Sequence, residues 1–247
     1  MKKERLFFSG TSNIVLPVKN KMFFPVAYQD KSRLAYYASM FNSLEVNSTF
    51  YKMPLRRTIE KWGREVPDHF RFSFKLLNVV THTTRQAFNL QQVSKFMDRI
   101  NGTEKQGCLL IQLPPKFGID LFQLGSLLAA LSGVWHLAIE FRNPSWYTDP
   151  VFQLLNDHQA AMAIHDMPRS AAPLELTSDQ VVYLRFHGPE GGYRGSYSDG
   201  FLAEYADYIN EWMGEGKTVY AYFNNTMGNA VQNLVTLNDL VHYDLNL

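Results

Sequence analysis

Hydrophobic positions recur along the chain with two alternating periods, and this alternation predicts the order of its elements. Short runs that are continuously apolar or have a two-residue period, as in strands, alternate with stretches of helical period. The predicted strands cover residues 6–9, 43–47, 70–75, 108–112, 136–140, 161–165, 181–187 and 218–223. The predicted helices cover residues 32–41, 58–66, 90–100, 121–131, 150–158, 201–213 and 229–241.

Eight strands that are mostly separated by helices are typical of a (β/α)₈ barrel, a TIM-type α/β fold. Residues 166–180 are too short for a full helix with its loops, so the sixth helix is expected to be degenerate. No linker interrupts residues 1–247, which are predicted to form a single domain. The alternative is a doubly wound open sheet, but no Gly-x-Gly-x-x-Gly pattern follows the first strand.

Composition narrows the classes of partner. The chain has 247 residues, 46% hydrophobic and 19% charged, with a net charge of +1. This charge gives no general support for a nucleic-acid partner, although a local basic patch stays open. The single cysteine, Cys108, lies in an apolar run and is expected in the core of a cytoplasmic protein. No apolar run approaches the ~20 residues of a membrane helix, so no membrane partner is expected.

Polar residues follow nearly every predicted strand, at the end where barrel proteins place their functional groups. Since alternate side chains of a strand share a face, polar residues two positions apart are expected together at the barrel mouth. A purely structural cluster is the other interpretation, because Glu140 can simply pair with Arg142 or Arg185. The expected same-face pairs are Glu45 with Asn47, Glu140 with Arg142, and Arg185 with His187.

These residues allow more than one chemistry. Glu45 and Glu140 suit an acid–base pair, as glycoside hydrolysis requires. Lys75, Arg142 and Arg185 suit the binding of an anion through charge-assisted hydrogen bonds. Glu45 can instead hold Lys75 or Arg185 in place. The further catalytic candidates are His187 and Asp166, and the further substrate-binding candidates are Asn47, Gln112, Trp146, Asn224 and Asn225.

Other features near the mouth have open interpretations. The glycine-rich segment after the seventh strand, residues 188–195, can be an anion-binding loop, a lid or a flexible surface loop. Trp146 is expected to wall a pocket, and His82 either reaches the site or caps the following helix. Metal-ligand types such as His165 come from different strands, and no recognised ligand spacing is present. No metal site is therefore predicted, and the sequence names no cofactor.

Several segments together resemble the YecE-like family, domain of unknown function seventy-two. They are residues 41–54 (FNSLEVNSTFYKMP), 67–75 (PDHFRFSFK), 109–117 (LLIQLPPKF), 138–146 (AIEFRNPSW), 183–188 (YLRFHG) and 220–230 (YAYFNNTMGNA), with Trp62, Thr81 and His82. The resemblance implies a TIM-type barrel with a site but names no reaction. One departure is that Asn13-Ile14-Val15-Leu16 replaces the Gly-Trp part of the family's Gly-Thr-Ser-Gly-Trp-Ser-Tyr-like turn.

The leading hypothesis is an enzyme of the hydrolase or lyase type that acts on a small anionic compound, phosphorylated or sugar-like. It binds this compound at the mouth of the barrel and uses Glu45 and Glu140 for acid–base chemistry. The alternatives are a metal-dependent phosphodiesterase of the endonuclease type and a non-catalytic ligand-binding or scaffold protein. The sequence leaves the oligomeric state open.

Overall fold

The computed structural model describes residues 5–82, 88–131, 133 and 135–241. Within these residues, strands and helices alternate along most of the chain. The strands are β1 Phe7–Thr11, β2 Ser43–Val46, β3 Arg71–Lys75, β4 Gln106–Leu113, β5 His136–Phe141, β6 Ala161–His165, β7 Val181–Phe186 and β8 Thr218–Phe223. The helices are α1 Arg33–Ala38, α2 Ser48–Tyr51, α3 Arg56–Glu65, α4 Asn78–Thr81, α5 Leu90–Ile100, α6 Leu121–Leu131, α7 Asp149–Asp157, α8 Asp199–Gly214 and α9 Ala230–Leu240.

The strands form one parallel sheet in the order β1-β8-β7-β6-β5-β4-β3-β2, which curls into a nearly closed barrel. The two ends of this order meet where Ser12 and Glu45 form a parallel bridge. The Asn13 N–H donates to Glu45 O at 2.8 Å and extends this contact. Gly10 permits the close approach, because a Cβ there would lie 2.0 Å from Ser43 O.

Side-chain alternation divides the apolar residues into two layers. Outward-facing residues such as Leu109 and Ile139 pack beneath the helices in the larger core. The smaller core lies inside the barrel, which is filled by side chains as expected for eight strands. Both faces of the sheet are therefore covered, which explains the continuous apolar runs. The inner core consists of Phe8, Cys108, Leu110, Ala138, Ala161, Ala163, Val181, Tyr183, Tyr220 and Tyr222.

Local sequence fixes several helix ends. Ser32 caps α1 by accepting from the Ala35 N–H at 3.0 Å, and Ser198 caps α8 in the same way. α3 stops before Pro67, because the residue before a proline is driven to extended geometry, and Val66 has φ −119° and ψ 156°. Within the described residues, no helix has both the length and the apolar character required to cross a membrane.

The predicted barrel is confirmed, and so is the degenerate sixth helix, because residues 166–180 contain no helix. One boundary error affects the site: β2 ends at Val46 rather than at Asn47. Asn47 has φ −82° and ψ −16°, and it opens α2. α2 and α4 were not predicted, because a one-turn helix is too short to show a periodic pattern. Cys108 is buried in the inner core, as predicted.

Candidate active site at the carboxyl end of the barrel

A buried chain of alternating charges begins at Glu45 on β2. The Glu45 carboxylate is fully buried and binds Arg185 of β7 through two hydrogen bonds, from Nε at 2.9 Å and from Nη2 at 2.7 Å. Ser12 Oγ donates to the same carboxylate at 2.5 Å, and Tyr183 Oη donates to it at 2.7 Å. Glu45 therefore accepts four hydrogen bonds and presents no surface to a ligand.

The chain of charges continues from Arg185 to Glu140 and Arg142. Arg185 Nη1 donates to Glu140 Oε2, and Arg142 Nε donates to Glu140 Oε1. Glu140 is fully buried, whereas the Arg142 side chain keeps 11% of its surface exposed. The guanidinium of Arg185 thus binds both carboxylates, and the predicted sharing of a face by Glu140 and Arg142 is confirmed.

The pKa shifts of these groups follow from their pairing. Burial alone raises the pKa of Glu45, but the charge of Arg185 and the donated hydrogen bonds outweigh it, so the pKa is lowered. Burial also raises the pKa of Glu140, but the charges of Arg185 and then Arg142 outweigh it and hold the pKa well below its usual range. Both carboxylates are therefore ionised near neutral pH.

His187 lies beside this chain of charges in its neutral form. Its Nε2 is 3.0 Å from Arg142 Nη2 and 3.1 Å from Arg185 Nη1. Because a guanidinium can only donate, Nε2 accepts and the ring proton lies on Nδ1. Nδ1 is 3.6 Å from Asp166 Oδ1, which is beyond hydrogen-bond range. Burial lowers the pKa of His187 to about 4, against the opposing effect of Asp166.

Lys75, at the end of β3, has no carboxylate partner among the described residues. Its Nζ donates to Gln112 Oε1 at 2.6 Å and lies 4.3 Å from the centroid of the Phe50 ring. Gln112 Nε2 is 3.5 Å from His82 Nε2, so His82 reaches the site. Lys75 is 9% exposed. Burial, followed by the charge of Arg185, lowers the pKa of Lys75 to about 8.

The glycine-rich segment after β7 is tied to the segment after β8. Asn225 Nδ2 and the Asn229 N–H both donate to Gly195 O, at 3.1 Å and 3.2 Å. The Met227 N–H donates to Tyr193 O at 3.0 Å. These contacts disfavour the interpretation as a flexible surface loop. They also place the Tyr193 side chain, 39% exposed, with its ring centroid 6.0 Å from that of His187.

The first N–H group of this segment is engaged within the protein. The Gly188 N–H donates to Tyr197 Oη at 2.6 Å, and Tyr197 Oη donates to Asp166 Oδ2. The other oxygen of Asp166 accepts from the His187 N–H at 2.7 Å. The Gly188 N–H is therefore not free to bind an anion, and Asp166 holds the start of the segment in place.

Trp146 does not wall a pocket at the mouth, and that prediction is wrong. The side chain is fully buried, its Nε1–H donates to Phe117 O at 2.8 Å, and its ring stacks on Phe141 at 4.9 Å. The short 3-10 turn Pro144–Trp146 directs the indole into the layer between barrel and helices.

The three predicted asparagines support the main chain of the structure, Asn47 and Asn224 through their own N–H groups and Asn225 through its side-chain amide. The Asn47 N–H donates to Asn13 Oδ1 at 3.1 Å beyond the end of β2, so strand alternation no longer places this side chain beside Glu45. The Asn224 N–H donates to Phe186 O at 2.7 Å and extends the pairing of β7 with β8. Asn225 is fully buried and supports the glycine-rich segment.

The histidine and carboxylate groups do not assemble a metal site in the part of the chain that the structure describes. His165 Nδ1 accepts from the Met167 N–H at 3.2 Å, and its Nε2 lies 3.0 Å from Phe141 O. Glu45 and Glu140 accept from arginines rather than facing an open cavity. These side chains are of types that ligate metals, but their lone pairs accept hydrogen bonds from other groups of the protein.

Sequence reasoning missed four contributors to the mouth. Ser12 and Tyr183 contact Glu45, Phe50 contacts Lys75, and Tyr193 lies above His187. Parity already placed Tyr183 on the same face as Arg185, so its position could have been found. Phe50 belongs to the single turn of α2 and Tyr193 to the loop after β7, and neither segment is long enough or regular enough for a periodic pattern to reveal its side-chain directions.

The departure from the family's first turn has a conformational explanation. Asn13 has φ 61°, a left-handed conformation that glycine adopts freely and asparagine tolerates. Asparagine therefore suits the backbone conformation that position 13 adopts. Leu16, in the same altered turn, is buried in the outer core.

The parallel strands, the surrounding helices and the charged mouth define a (β/α)₈ barrel protein with its candidate site at the carboxyl ends of the strands. Residues 9–246 match the family model described as protein of unknown function DUF72. The chain belongs to this family, which confirms the resemblance found in its sequence.

Relatives and solved structures agree with this assignment. The UPF0759 protein YunF of Bacillus subtilis (strain 168) is 26% identical over 238 residues, covering 83% of this chain and 84% of the relative. The UPF0759 protein YecE of Escherichia coli (strain K12) is 30% identical over 113 residues, 45% of this chain and 42% of that relative. A DUF72 family protein from Enterococcus faecalis V583 has a TM-score of 0.79 at 19% identity, with 96% of both chains covered. One from Thermotoga maritima MSB8 has a TM-score of 0.76 at 22% identity, with 97% of this chain and 100% of that chain covered. These structures show the shared fold and name no reaction.

Proposed function

We propose that this protein is an enzyme that binds a small anionic compound at the carboxyl-end mouth of its barrel. The observation that carries the proposal is the uncompensated ammonium of Lys75. Glu45, Arg185, Glu140 and Arg142 carry two negative and two positive charges and neutralise one another. Lys75 adds one positive charge, and no carboxylate of the described residues pairs with it, since Asp166 accepts from the His187 N–H and from Tyr197 Oη instead. A mostly buried charge without a counter-ion is unfavourable, and a bound anion would compensate it.

The surroundings of Lys75 support a phosphorylated or sugar-like compound. Arg142 remains partly exposed, and a guanidinium suits phosphate or carboxylate recognition. Gln112 and His82 supply neutral hydrogen-bonding groups, and the ring of Phe50 supplies an apolar wall. A few polar groups beside aromatic rings are typical of a small-molecule site.

The proposal gives different tasks to the two glutamates and to the groups around Lys75. Glu45 and Glu140 both bind Arg185, so its guanidinium takes the space where a glycosidase pair needs substrate. Their lowered pKa values also make them weak bases. We assign them to the positioning of Arg185 and Arg142. Lys75 and His82 are better placed to exchange protons with a ligand.

The experiment is calorimetry and thermal unfolding with inorganic phosphate, glucose 6-phosphate and uncharged glucose. We expect the anions, but not glucose, to bind and to raise the unfolding temperature, as any ligand of the folded state does. Lys75→Gln should weaken anion binding at least about tenfold, the equivalent of ~1.4 kcal/mol. The matched control is Lys61→Gln on α3, whose side chain is 69% exposed.

Two results would count against the proposal. Equal anion affinity in Lys75→Gln and the parent protein would remove its basis, and so would failure of every anion to bind. Incubation with the bound anion, followed by mass spectrometry, tests the enzymatic part. A ligand that is recovered unchanged would favour the non-catalytic alternative.

A further inference from the structure

Lys75 differs from an ordinary anion-binding lysine in what holds its amine. Its Nζ donates to a neutral amide oxygen, Gln112 Oε1 at 2.6 Å, and lies over the Phe50 ring. The amide contact does not require the amine to be charged, because a neutral amine still donates to an amide, whereas the ring contact favours the charged form and is opposed by burial. The other lysine bonds of the described chain, such as Lys105 with Asp68 at 2.5 Å, include carboxylate pairs that favour the charged form.

A second feature is the proton-transfer group beside this amine. His82 lies across Gln112 from Lys75, with the two Nε2 atoms of Gln112 and His82 3.5 Å apart, and its ring meets the Phe50 ring edge-on at 5.0 Å. Burial, and then the charges of Lys75 and Arg142, lower the pKa of His82, so it is neutral near pH 7.

We propose that Lys75 is a nucleophilic amine that forms an imine with a carbonyl compound whose anionic group is bound at Arg142. This inference rests on the proposed function and deepens it, because it names the substrate class as an aldehyde or ketone that carries a phosphate or carboxylate. It also divides the cationic mouth into an anion-binding side at Arg142 and a reacting side at Lys75.

The step balances without any oxidant or reductant. The lone pair of the neutral Nζ attacks the carbonyl carbon, the π electrons of the C=O bond move to oxygen, and a proton moves from nitrogen to that oxygen. A second proton converts the hydroxyl into departing water as the nitrogen lone pair forms the C=N bond. The sum is amine plus carbonyl plus one proton, giving a protonated imine and one water. The second proton comes from solvent, and His82, which is exposed and lies across Gln112 from the amine, is the group that would relay it.

Burial favours the neutral form of the amine, while the charges around it act in both directions: Arg185 and Arg142 lower its pKa, and Glu140 and Glu45 raise it. The titratable groups that act on it are Arg185, Glu140, Glu45, Arg142 and His82. Burial is the largest influence and, with Arg185, lowers the pKa from 10.5 to about 8. The fraction of free amine at pH 7 is then about 300-fold larger than for an ordinary lysine.

The test is reductive trapping with pyridoxal 5′-phosphate, an aldehyde that carries a phosphate, followed by borohydride and peptide mapping. We expect Lys75 to be labelled at least about tenfold faster than Lys61 at pH 7, with a rate that levels off above a midpoint near pH 8. Pyridoxal, which lacks the phosphate, should label Lys75 more slowly, and inorganic phosphate should protect it.

Lys75→Arg separates this inference from the proposed function. It keeps the positive charge but removes the primary amine, so anion binding should persist while trapping at this position disappears. Labelling of Lys75 no faster than of Lys61 would overturn the imine, even where calorimetry still shows that phosphate binds. Equal rates of Lys75 labelling with pyridoxal and pyridoxal 5′-phosphate, together with no change of rate in Arg142→Gln, would contradict the assignment of Arg142 as the anion-binding side.

Discussion

The substitution Glu45→Gln tests whether the buried chain of charges is the structural centre of the barrel. It removes the negative charge that binds two nitrogens of Arg185, a residue that is 1% exposed. Arg185 then keeps Glu140 alone as a charged partner. Removing one member of a buried ion pair typically costs about 3–5 kcal/mol, because the remaining charge stays buried. We expect a loss of this size in the free energy of unfolding.

Urea unfolding followed by circular dichroism at pH 7 measures this loss. With a slope of about 2–3 kcal/mol per molar urea, the midpoint should fall by about 1–2 M. Glu60→Gln is the matched control, because Glu60 pairs with Arg56 at 3.1 Å on the exposed surface of α3. Such surface pairs contribute less than about 1 kcal/mol.

A second arm distinguishes charge from packing. Glu45→Leu combined with Arg185→Met removes both partners and leaves Glu140 paired with Arg142 alone, so it should recover part of the stability that Glu45→Gln loses. The reasoning is refuted if Glu45→Gln changes the free energy of unfolding no more than Glu60→Gln does.

Three further predictions follow from the same structure. Acidification from pH 7 to pH 5 should lower stability, because the unfolded chain binds a proton at His187 near pH 6.5 while the folded chain does not until about pH 4. His187→Gln should reduce the dependence of the unfolding free energy on pH, measured by urea titrations, and an unchanged dependence would contradict this prediction. Gly188→Ala should destabilise the protein by at least ~1 kcal/mol in urea unfolding, since φ is +107° and the new Cβ would lie 2.1 Å from Arg194 O. Gly192→Ala is the control for backbone strain alone, because Gly192 has φ +59° and open space around it. Equal losses of stability in the two variants would argue against the clash at Gly188. Cys108, fully buried and with a pKa raised by burial, should react with a thiol reagent only in denaturant, and rapid labelling of the native protein would contradict its place in the inner core.

Much of the site follows from two periodicities in the sequence. Strand alternation correctly placed Glu140 with Arg142 and Arg185 with His187, and the barrel rule brought these strand ends to one mouth. Arg185 was named as one of two possible partners for each glutamate, but the choice between them could not be predicted, because it depends on how far side chains reach across the closed barrel. The prediction for Trp146 was wrong for a related reason, since one short turn decides whether its indole faces the mouth or the helices.

The residues that surround Lys75 show where sequence patterns stop being informative. Gln112 was found because it ends a strand, and its register opposite Glu140 fixes its height in the barrel. Phe50 was missed, because it follows a boundary where the chain leaves β2 and forms a single helical turn. Patterns predict where regular elements end, but the conformation beyond the end depends on tertiary contacts.

The pairing of Glu45 with Arg185 also bears on how the protein reaches its native state. The two residues are 140 positions apart in the chain, and Glu45 additionally carries the contact between the first and second strands. A half-barrel fragment that ends before β7 would expose this carboxylate without its guanidinium, and so would lack the interaction that seals its own edge. Glu45 thus takes part both in the contact that closes the barrel and in the ion pair at its mouth, and a newly made chain acquires its complete candidate site only after β7 has been synthesised.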